Sequence, residues 1–448
     1  MRETLFVIPH EFLGLPMFGL LGWIVIVWLI IGTGWMIWYH KQQKHTGQNG
    51  EQALQSPLMF IIIVALLFGV VVPFVEPRHP ISNEPVGMAI RGYGLFVLLG
   101  LVCGISLSAH LAKRLGLKIE PVFSLAVWLV ISGMIGARAV YVIQYWHRFT
   151  ANDPSFGELL GRIVNLTQGG LVVYGSLIGG SIGSWIFLRR NKLPVLDYFD
   201  IMMPAMMVGL ACGRLGCLCF GCCFGGTCSI DDWHVQFPPG SPPYRAQIFR
   251  GEFPLLPEIV RHHTGAEATV IPMGPDGSEA LLEVTDAADS GFATGDQLLF
   301  TLARTEQGFI PADQWPMMFH FGLEDSVVAE LKLRDGSRTI PLKLSDLPPT
   351  SLPVKPAQLL SAVSATAICI LLLIYLPRRR RAGQLLALML TVYPIARFLL
   401  ENVRNDEKGQ FGTDYTISQW ISFLMIGLGI ACWVWLQRKA PNRSSAKS

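Results

Sequence analysis

Residues 213–225 have the sequence GRLGCLCFGCCFG, which places four cysteines and one arginine among thirteen residues. With Cys212 and Cys228 included, six of the nine cysteines of the chain fall within 17 residues. The stretch closes a long apolar run that begins near residue 198. Its place in the molecule therefore depends on where that run lies.

The composition indicates a membrane protein. Hydrophobic residues make up 51% of the 448 residues and charged residues only 15%, whereas a soluble domain carries about 25% charge. A helix of about 20 apolar residues crosses a bilayer. Nine runs have this character: 17–38, 58–76, 92–112, 121–145, 169–188, 198–220, 356–377, 384–402 and 417–436. The first run lacks a basic leader and a cleavage site, so we interpret it as a retained helix.

The basic residues of the loops predict the orientation. The loops on one side of the nine spans contain 16 Lys and Arg residues, against 7 on the other side when 226–355 is left out. Because basic loops stay in the cytoplasm, we expect the N-terminus outside and the C-terminus inside. Residues 213–225 then lie at the outer end of the sixth span. The RRRR stretch at 378–381 is interpreted as a cytoplasmic anchor that meets lipid head groups, and no nucleic-acid partner is expected.

Residues 226–355 interrupt the apolar pattern. They are polar and contain strand-like runs such as AELKLRDGSRTIPLKL at 329–344, with an Asp-Gly turn signal in the middle. We expect a small β-rich domain over most of 265–350. The stretch AADSGFATGDQLLF, with that hairpin, faintly resembles a PDZ domain, and an unrelated β-rich insert is the alternative. The predicted fold class is an all-α polytopic membrane protein with an inserted β-rich extracytoplasmic domain.

Three arginines lie in or beside apolar runs: Arg138, Arg214 and Arg397. A charged side chain in a span is costly, so it usually faces a polar cavity or a partner. Glu401 follows Arg397 by one helical turn. Together these residues favour a polar cavity for an anion such as a lipid phosphate, which arginine binds with two hydrogen bonds. The alternative for each arginine is a snorkelling or structurally paired side chain.

Glycines surround a single polar residue in GGLVVYGSLIGGSIG, residues 169–183. Small residues let helices approach each other closely. Around Tyr174 they also leave room for an acyl chain or a lipid head group.

Six stretches, in this order, resemble motifs of the prolipoprotein diacylglyceryl transferase family. They are RGYGLFVLLGL, GARAVYVIQY, GGLVVYGSLIGG, GRLGCLCFGCCFG, LPVKPAQL and YPIARFLLENVR. The resemblance covers about 85–225 and 350–436. It divides the chain into an additional N-terminal helix pair (1–84), two parts of a transferase-like core (85–225 and 356–436), the insert (226–355) and a cytoplasmic tail (437–448).

The resemblance implies an enzyme of the bacterial inner membrane. Such an enzyme transfers the diacylglyceryl group of phosphatidylglycerol to the lipobox cysteine of a preprolipoprotein and needs no metal or other cofactor. Its partners are these two substrates and the membrane lipids. By this resemblance the catalytic residues are Arg214, Arg397, Tyr393 and Tyr174. The residues that contact lipid or substrate are Arg214, Arg138, Tyr93, Gly175, Gly221, Glu401 and Arg404.

The chain departs from the family pattern where protons are handled. Tyr174 replaces a histidine, Cys217 and Phe220 replace asparagines, Cys222 replaces a glutamate, and Lys355 replaces another histidine. A tyrosine hydroxyl is a poor base at neutral pH. These replacements favour two alternatives: a non-catalytic lipid- or peptide-binding adaptor, and a thiol-redox protein on the same fold.

The clustered cysteines allow three interpretations. A disulfide at the oxidising outer face is one, with Cys228 bonded to Cys222 or Cys223. A metal site is the second, although the spacings are loose and we assign no metal from them. Thiols polarised by Arg214 inside the active cavity are the third. A direct bond between Cys217 and Cys222 would require the helix to break near Gly221.

The predicted topology can be measured with reporter fusions. A reporter at Lys192 should register the cytoplasm and one at Asp276 the outer side, because basic loops are retained inside. Two reporters that register the same side would exclude this topology.

Overall fold

A computed structural model of the chain describes residues 4–19, 22–44, 61, 65–66, 72, 87–150, 155–165, 170–250, 252, 255–271, 279–287, 292–302, 304–305, 308–309, 327–334, 339–404, 412–413 and 415–438. The chain forms two compact units. The first unit contains mainly the described residues of 1–95 and 227–354. The second unit, called the helical unit below, contains mainly the described residues of 96–216 and those from 355 onward.

Helices make up most of the described chain. They are α1 (Trp23–Lys44), α2 (Gly92–Arg114), α3 (Glu120–Gln144), α4 (Trp146–Phe149), α5 (Phe156–Val164), α6 (Val173–Arg190), α7 (Val195–Phe220), α8 (Pro242–Phe249), α9 (Leu255–Thr264), α10 (Ala357–Tyr375), α11 (Gln384–Glu401) and α12 (Ile417–Arg438). Within the described residues, six helices are long and apolar enough to cross a membrane: α2, α3, α7, α10 with its continuation to Arg378, α11 and α12.

The six helices coincide with six of the nine predicted runs, so the polytopic helical class is confirmed. The run 169–188 forms α6, a helix that is not among the six. The run 17–38 overlaps α1, whose apolar part, Trp23–Gly34, is short. The run 58–76 lies almost entirely outside the described residues. Nine spans therefore stay a prediction.

Eleven strands occur in the described residues. They are β1 (Thr4–Pro9), β2 (Glu11–Phe12), β3 (Leu15–Pro16), β4 (Gly87–Arg91), β5 (Glu267–Ile271), β6 (Glu279–Asp286), β7 (Gln297–Leu302), β8 (Arg304–Thr305), β9 (Gly308–Phe309), β10 (Val327–Leu333) and β11 (Thr339–Lys343). The β1–β4 pair is antiparallel and joins the N-terminal residues to the start of α2. This pairing was not predicted from the sequence.

The insert contains the predicted β-rich domain. Its five-stranded antiparallel sheet has the order β11-β10-β7-β6-β5. The predicted hairpin is present as β10 and β11, with Leu331 opposite Ile340. Helices α8 and α9 contribute Tyr244 and Val260 to the core of the sheet. The Tyr244 hydroxyl donates to the Pro348 carbonyl at 3.0 Å, and burial raises the Tyr244 pKa well above its ordinary value.

The helical unit packs closely where glycines of α3 and α6 face each other. A Cβ on Gly175 would lie 2.4 Å from the Gly136 carbonyl oxygen, and one on Gly179 would lie 2.4 Å from the Ser132 carbonyl oxygen. No side chain fits at such distances. Gly175 and Gly179 therefore serve helix contact.

The buried carboxylate of Asp200 lies in the helical unit, beside the RRRR stretch. Asp200, on α7, is fully buried and accepts hydrogen bonds from the backbone N–H groups of Gly383, Leu385 and Leu386 at 2.8–3.1 Å. Its Oδ2 also pairs with Arg379 Nη1 at 2.6 Å. Asp200 thus caps the start of α11 from another helix. One of the four arginines is therefore held inside the protein.

We expect Asp200→Ala to destabilise the protein by about 3–5 kcal/mol, because it strips a buried ion pair of one partner and leaves three helix N–H groups without an acceptor. Asp197→Ala is the matched control, since Asp197 pairs with the same arginine at 2.8 Å but is partly exposed. Its loss should cost about 1 kcal/mol or less. Thermal unfolding in one detergent measures both. Equal losses would contradict the capping role.

Candidate active site

The centre of the candidate site is a network of side chains from α6, α11 and α12. Arg397 Nη2 donates to the Ser418 hydroxyl at 2.9 Å, and the Tyr174 hydroxyl lies 2.9 Å from the same Ser418 oxygen. Ser418 is itself buried. Two residues that the sequence assigned to catalysis, Tyr174 and Arg397, are therefore joined through a serine that it did not assign.

Glu401 neutralises Arg397 from within the same helix. Its Oε2 lies 2.6 Å from Arg397 Nη1, one helical turn away. The contact has the distance of an ion pair without the angles of a hydrogen bond. The other carboxylate oxygen accepts from the Thr416 hydroxyl at 3.0 Å. Glu401 is 5% exposed, so its charge is held by Arg397 and Thr416 and not by water.

The contacts of Arg397 within this network leave one of its nitrogen atoms available for a ligand. Nη1 and Nη2 of Arg397 are used, whereas Nε makes no hydrogen bond to any described residue. Tyr393 lies one turn earlier on α11 and packs its ring against the helical core. Within the described chain its hydroxyl likewise has no hydrogen-bond partner. The arrangement presents two polar groups of α11 that can accept a ligand.

Arg214 differs from the other internal arginines. It is half-buried on α7, and no described residue forms a hydrogen bond or an ion pair with it. A guanidinium without a partner in an apolar helix is costly. An anionic ligand would offset that cost, and phosphate binding by Arg214 stays a prediction.

Arg138 has a different environment from the one that its assignment to lipid binding implies. Its guanidinium donates to the carbonyl oxygens of Arg162, Ile163, Asn165 and Gly170 at 2.7–3.0 Å. It also lies 5.4 Å from the centroids of the Tyr141 and Phe149 rings. These contacts fix the segment around α5 to α3. A contact of Arg138 with lipid stays a prediction.

Backbone contacts bring three motifs together. The N–H of Gly225 donates to the Lys355 carbonyl, the Lys355 N–H donates to the Gly226 carbonyl, and the Gly226 N–H donates to the Val403 carbonyl at 3.2 Å. Gly225 also forms an isolated bridge with Arg404. A Cβ on Gly225 would lie 2.6 Å from the Lys355 carbonyl oxygen, so only glycine allows this approach.

The remaining assigned residues divide between packing and turn positions. Tyr93 is half-exposed and lies against Phe220, with ring centroids 6.3 Å apart. Gly175 is buried between α3 and α6. Gly221, with φ of +85°, follows the last residue of α7. Their contacts with substrate stay predictions, as does the disulfide between Cys228 and Cys222 or Cys223.

Sequence reasoning missed Ser418 and Thr416. Both lie at the start of α12 in TISQW, and both are buried. The one signal in the sequence is a group of polar residues, Thr416, Ser418, Gln419 and Ser422, on the first turns of an apolar helix. Such residues need partners inside the protein.

These observations define a helical membrane protein with a polar interior that contains arginines. Residues 80–435 match the family model described as prolipoprotein diacylglyceryl transferase. The chain belongs to this family, as its motifs predicted.

Individual relatives agree with the family match. A phosphatidylglycerol–prolipoprotein diacylglyceryl transferase of Rhodopirellula baltica is 34% identical over 455 residues, which covers 96% of this chain and 88% of that protein. An enzyme of the same name from Clostridium perfringens, numbered 2, is 32% identical over 181 residues, 39% of this chain and 67% of its own. One from Gloeobacter violaceus is 31% identical over 164 residues, 37% of this chain and 58% of its own.

The role of Arg138 can be tested by hydrogen exchange. Arg138→Lys replaces a fork that reaches four carbonyl groups by a point charge, so the amides of 156–164 should exchange about tenfold faster. Arg148→Lys is the control, because Arg148 lies over the Tyr145 ring. Unchanged exchange in the Arg138 variant would contradict the anchoring role.

Proposed function

We propose that the chain transfers the diacylglyceryl group of phosphatidylglycerol to the lipobox cysteine thiol of a preprolipoprotein. The observation that carries this proposal is the junction of Tyr174 and Arg397 through Ser418. It unites two separate family motifs in one buried network. The nearly full-length similarity to the Rhodopirellula baltica enzyme supports it.

In this reaction the acceptor sulfur forms a bond to the glyceryl carbon, and the bond from that carbon to the phosphate oxygen breaks. Glycerol 1-phosphate leaves with the electron pair, and the thiol proton is lost. Developing charge on the phosphate needs cations. Arg214 and Arg397 supply them, and Glu401 fixes the position of Arg397.

Tyr174 is assigned to the acceptor side of the reaction. Its hydroxyl is held by Ser418, which Arg397 also contacts. Ser418 thus links Arg397, which is assigned to the leaving phosphate, to Tyr174, which is assigned to the acceptor. Tyr393, one turn from Arg397, completes the proposed catalytic group. Tyr93, Arg404 and the signature glycines are assigned to the walls of the lipid site.

We place this site at the outer face of a bacterial cytoplasmic membrane, with nine spans, the N-terminus outside and the C-terminus inside. The distribution of basic residues supports this orientation. The β-rich insert then lies outside, on the side where lipoprotein signal peptides are processed.

The test is rescue of cells depleted of their own diacylglyceryl transferase. The chain should restore growth and lipoprotein modification. Arg214→Ala should fail and should weaken phosphatidylglycerol binding by roughly ten- to hundredfold, since each charge-assisted hydrogen bond contributes about 1.5–3 kcal/mol. Arg214→Lys should rescue partly, because it lacks the two-pronged contact. Arg148→Ala is the control.

Two further variants separate binding from transfer. Tyr174→Phe should abolish transfer and leave lipid binding largely intact. Ser418→Ala should lower the transfer rate about ten- to hundredfold, because it removes the hydrogen bonds with Arg397 and Tyr174, each worth about 0.5–1.5 kcal/mol, and Ser418→Thr should restore most of it. If lipid binding is indifferent to Arg214 and Arg397, the transferase proposal fails and a non-catalytic adaptor or a redox protein takes its place.

A further inference from the structure

The connection between α3 and α6 contains the short helix α5, Phe156–Val164, and none of its nine residues is buried. Three of its apolar side chains are largely exposed: Phe156 to 81%, Val164 to 67% and Leu160 to 52%. Exposed apolar surface on this scale marks an interaction surface. The proposed function gives this helix no task.

The apolar residues of α5 share one face of the helix. With about 3.6 residues per turn, its apolar side chains fall within an arc of about 140°. These side chains are Phe156, Leu159, Leu160, Ile163 and Val164. The opposite face carries Glu158 and Arg162, whose spacing of four residues lets opposite charges attract on a helix surface. A helix with one apolar and one charged face is typical of segments that lie in the plane of a membrane interface.

Arg138 of α3 caps the C-terminal end of α5. The last carbonyl groups of a helix have no partner within the helix. The Arg138 guanidinium donates to the carbonyl oxygens of Arg162, Ile163 and Asn165 at 2.7–2.8 Å. A cation at this end also complements the helix dipole. The carbonyl groups that would otherwise need water are therefore satisfied by a neighbouring helix.

The N-terminal end of α5 is satisfied within its own first turn. The Ser155 hydroxyl accepts from the Glu158 N–H at 3.4 Å, and the Ser155 N–H donates to the Glu158 carboxylate at 2.9 Å. This is a capping box. Protein groups therefore serve both ends of the helix. Lipid imposes this requirement, since it offers no hydrogen bonds to backbone groups.

Arg138 also fixes the level of α5 along α3. Helix α3 has 25 residues, so it is about 38 Å long, which exceeds the hydrocarbon thickness of about 30 Å. Its last turns therefore lie in the head-group region. Arg138 precedes Gln144, the last residue of α3, by six residues. Its guanidinium also donates to the Gly170 carbonyl at 3.0 Å, just before α6 begins at Val173. The end of α5 is thus held beside the last turns of α3.

Interfacial side chains lie at the same level. Trp146 follows α3 directly and is half-exposed, and Arg148 lies 4.6 Å from the centroid of the Tyr145 ring. Such aromatic and basic residues are enriched where a helix leaves the hydrocarbon. Arg162 Nη1 donates to the Phe149 carbonyl at 3.2 Å, so α5 is joined to this segment.

We propose that α5 lies in the interface of the bilayer, with Phe156, Leu160 and Val164 inserted among the acyl chains and Glu158 and Arg162 facing water. The partner is the phospholipid bilayer itself. Because the polar face carries one acid and one base, the contact does not require an anionic head group. Arg138 then has its position in an apolar run because it caps a helix that lies in lipid. This inference does not depend on the transfer reaction.

The first test uses the unchanged full-length protein in phosphatidylcholine vesicles that contain phosphatidylcholine with a diazirine in the acyl chain. After irradiation and proteolysis, mass spectrometry should find lipid on peptides that contain 156–164, at a yield within about threefold of that on α12. Helix α9 is the matched control, because its apolar residues Ile259 and Val260 are buried against the sheet. Its peptides should carry less than about one tenth of that label. No lipid on 156–164 would overturn the proposal.

A second test resolves the two faces of α5. A photoreactive p-benzoylphenylalanine in place of Phe156 or Val164 should form adducts with phosphatidylcholine. In place of Glu158 it should form less than about one fifth as many. All three positions are exposed, so the exchange requires no repacking. Equal yields on both faces would overturn the proposed orientation. Neither readout needs turnover, so each stands apart from a failure of the transferase assay.

A signal peptide is the competing occupant of the apolar face. A synthetic signal peptide with a lipobox, added to the vesicles, should leave the lipid adducts at position 156 unchanged. If the peptide takes the label in place of lipid, the face is a peptide-binding surface and the membrane proposal is overturned.

Discussion

The ion pair between Arg397 and Glu401 allows a guanidinium to lie inside an apolar helix, and the arrangement of the candidate site depends on it. A charge buried in an apolar helix is not compensated by water, so the protein must supply the partner. Glu401 supplies the charge, and Thr416 and Ser418 supply the hydrogen bonds. Because Ser418 also contacts Tyr174, the same compensation fixes α6, α11 and α12 around one polar centre.

The internal arginines differ in how this compensation is made. Arg138 is satisfied by backbone carbonyl groups, Arg379 by two aspartates and Arg397 by a glutamate and a serine. Among the described residues, Arg214 finds none. The first two serve the fold, since their donors are consumed by the protein. Arg397 is held in place, and its Nε forms no hydrogen bond with any described residue. The partners of an arginine therefore indicate an anchoring role more sharply than its position in an apolar run does.

The sequence predicts those parts of the protein that depend on local pattern. Apolar runs predicted α2, α3, α7, α10, α11 and α12 to within a few residues, because a membrane-spanning helix is specified by length and composition. The hairpin of β10 and β11 followed from alternation around a turn signal.

Contacts between distant residues could not be predicted in this way. Tyr174 and Ser418 are 244 residues apart, and Asp200 caps a helix that starts more than 180 residues later. The antiparallel pairing of β1 with β4 is of the same kind. Arg138 shows a second limit. An arginine in an apolar run is predicted to have a partner, but the sequence does not indicate whether that partner is a ligand or the protein backbone.

The cysteine-rich turn and Tyr174 are connected by one chemical requirement. A site that joins a thiol to a lipid carbon must hold an anion and also ionise a thiol. The arginines are assigned to the first need. For the second, the described network offers the hydroxyls of Tyr174 and Ser418 and the carboxylate of Glu401, which already contacts Arg397 and Thr416. The left-handed backbone at Gly221 and Cys223 ends α7 and turns the chain. The departures from the family motif therefore fall on the groups that would handle the thiol proton, and the arginines assigned to phosphate are retained.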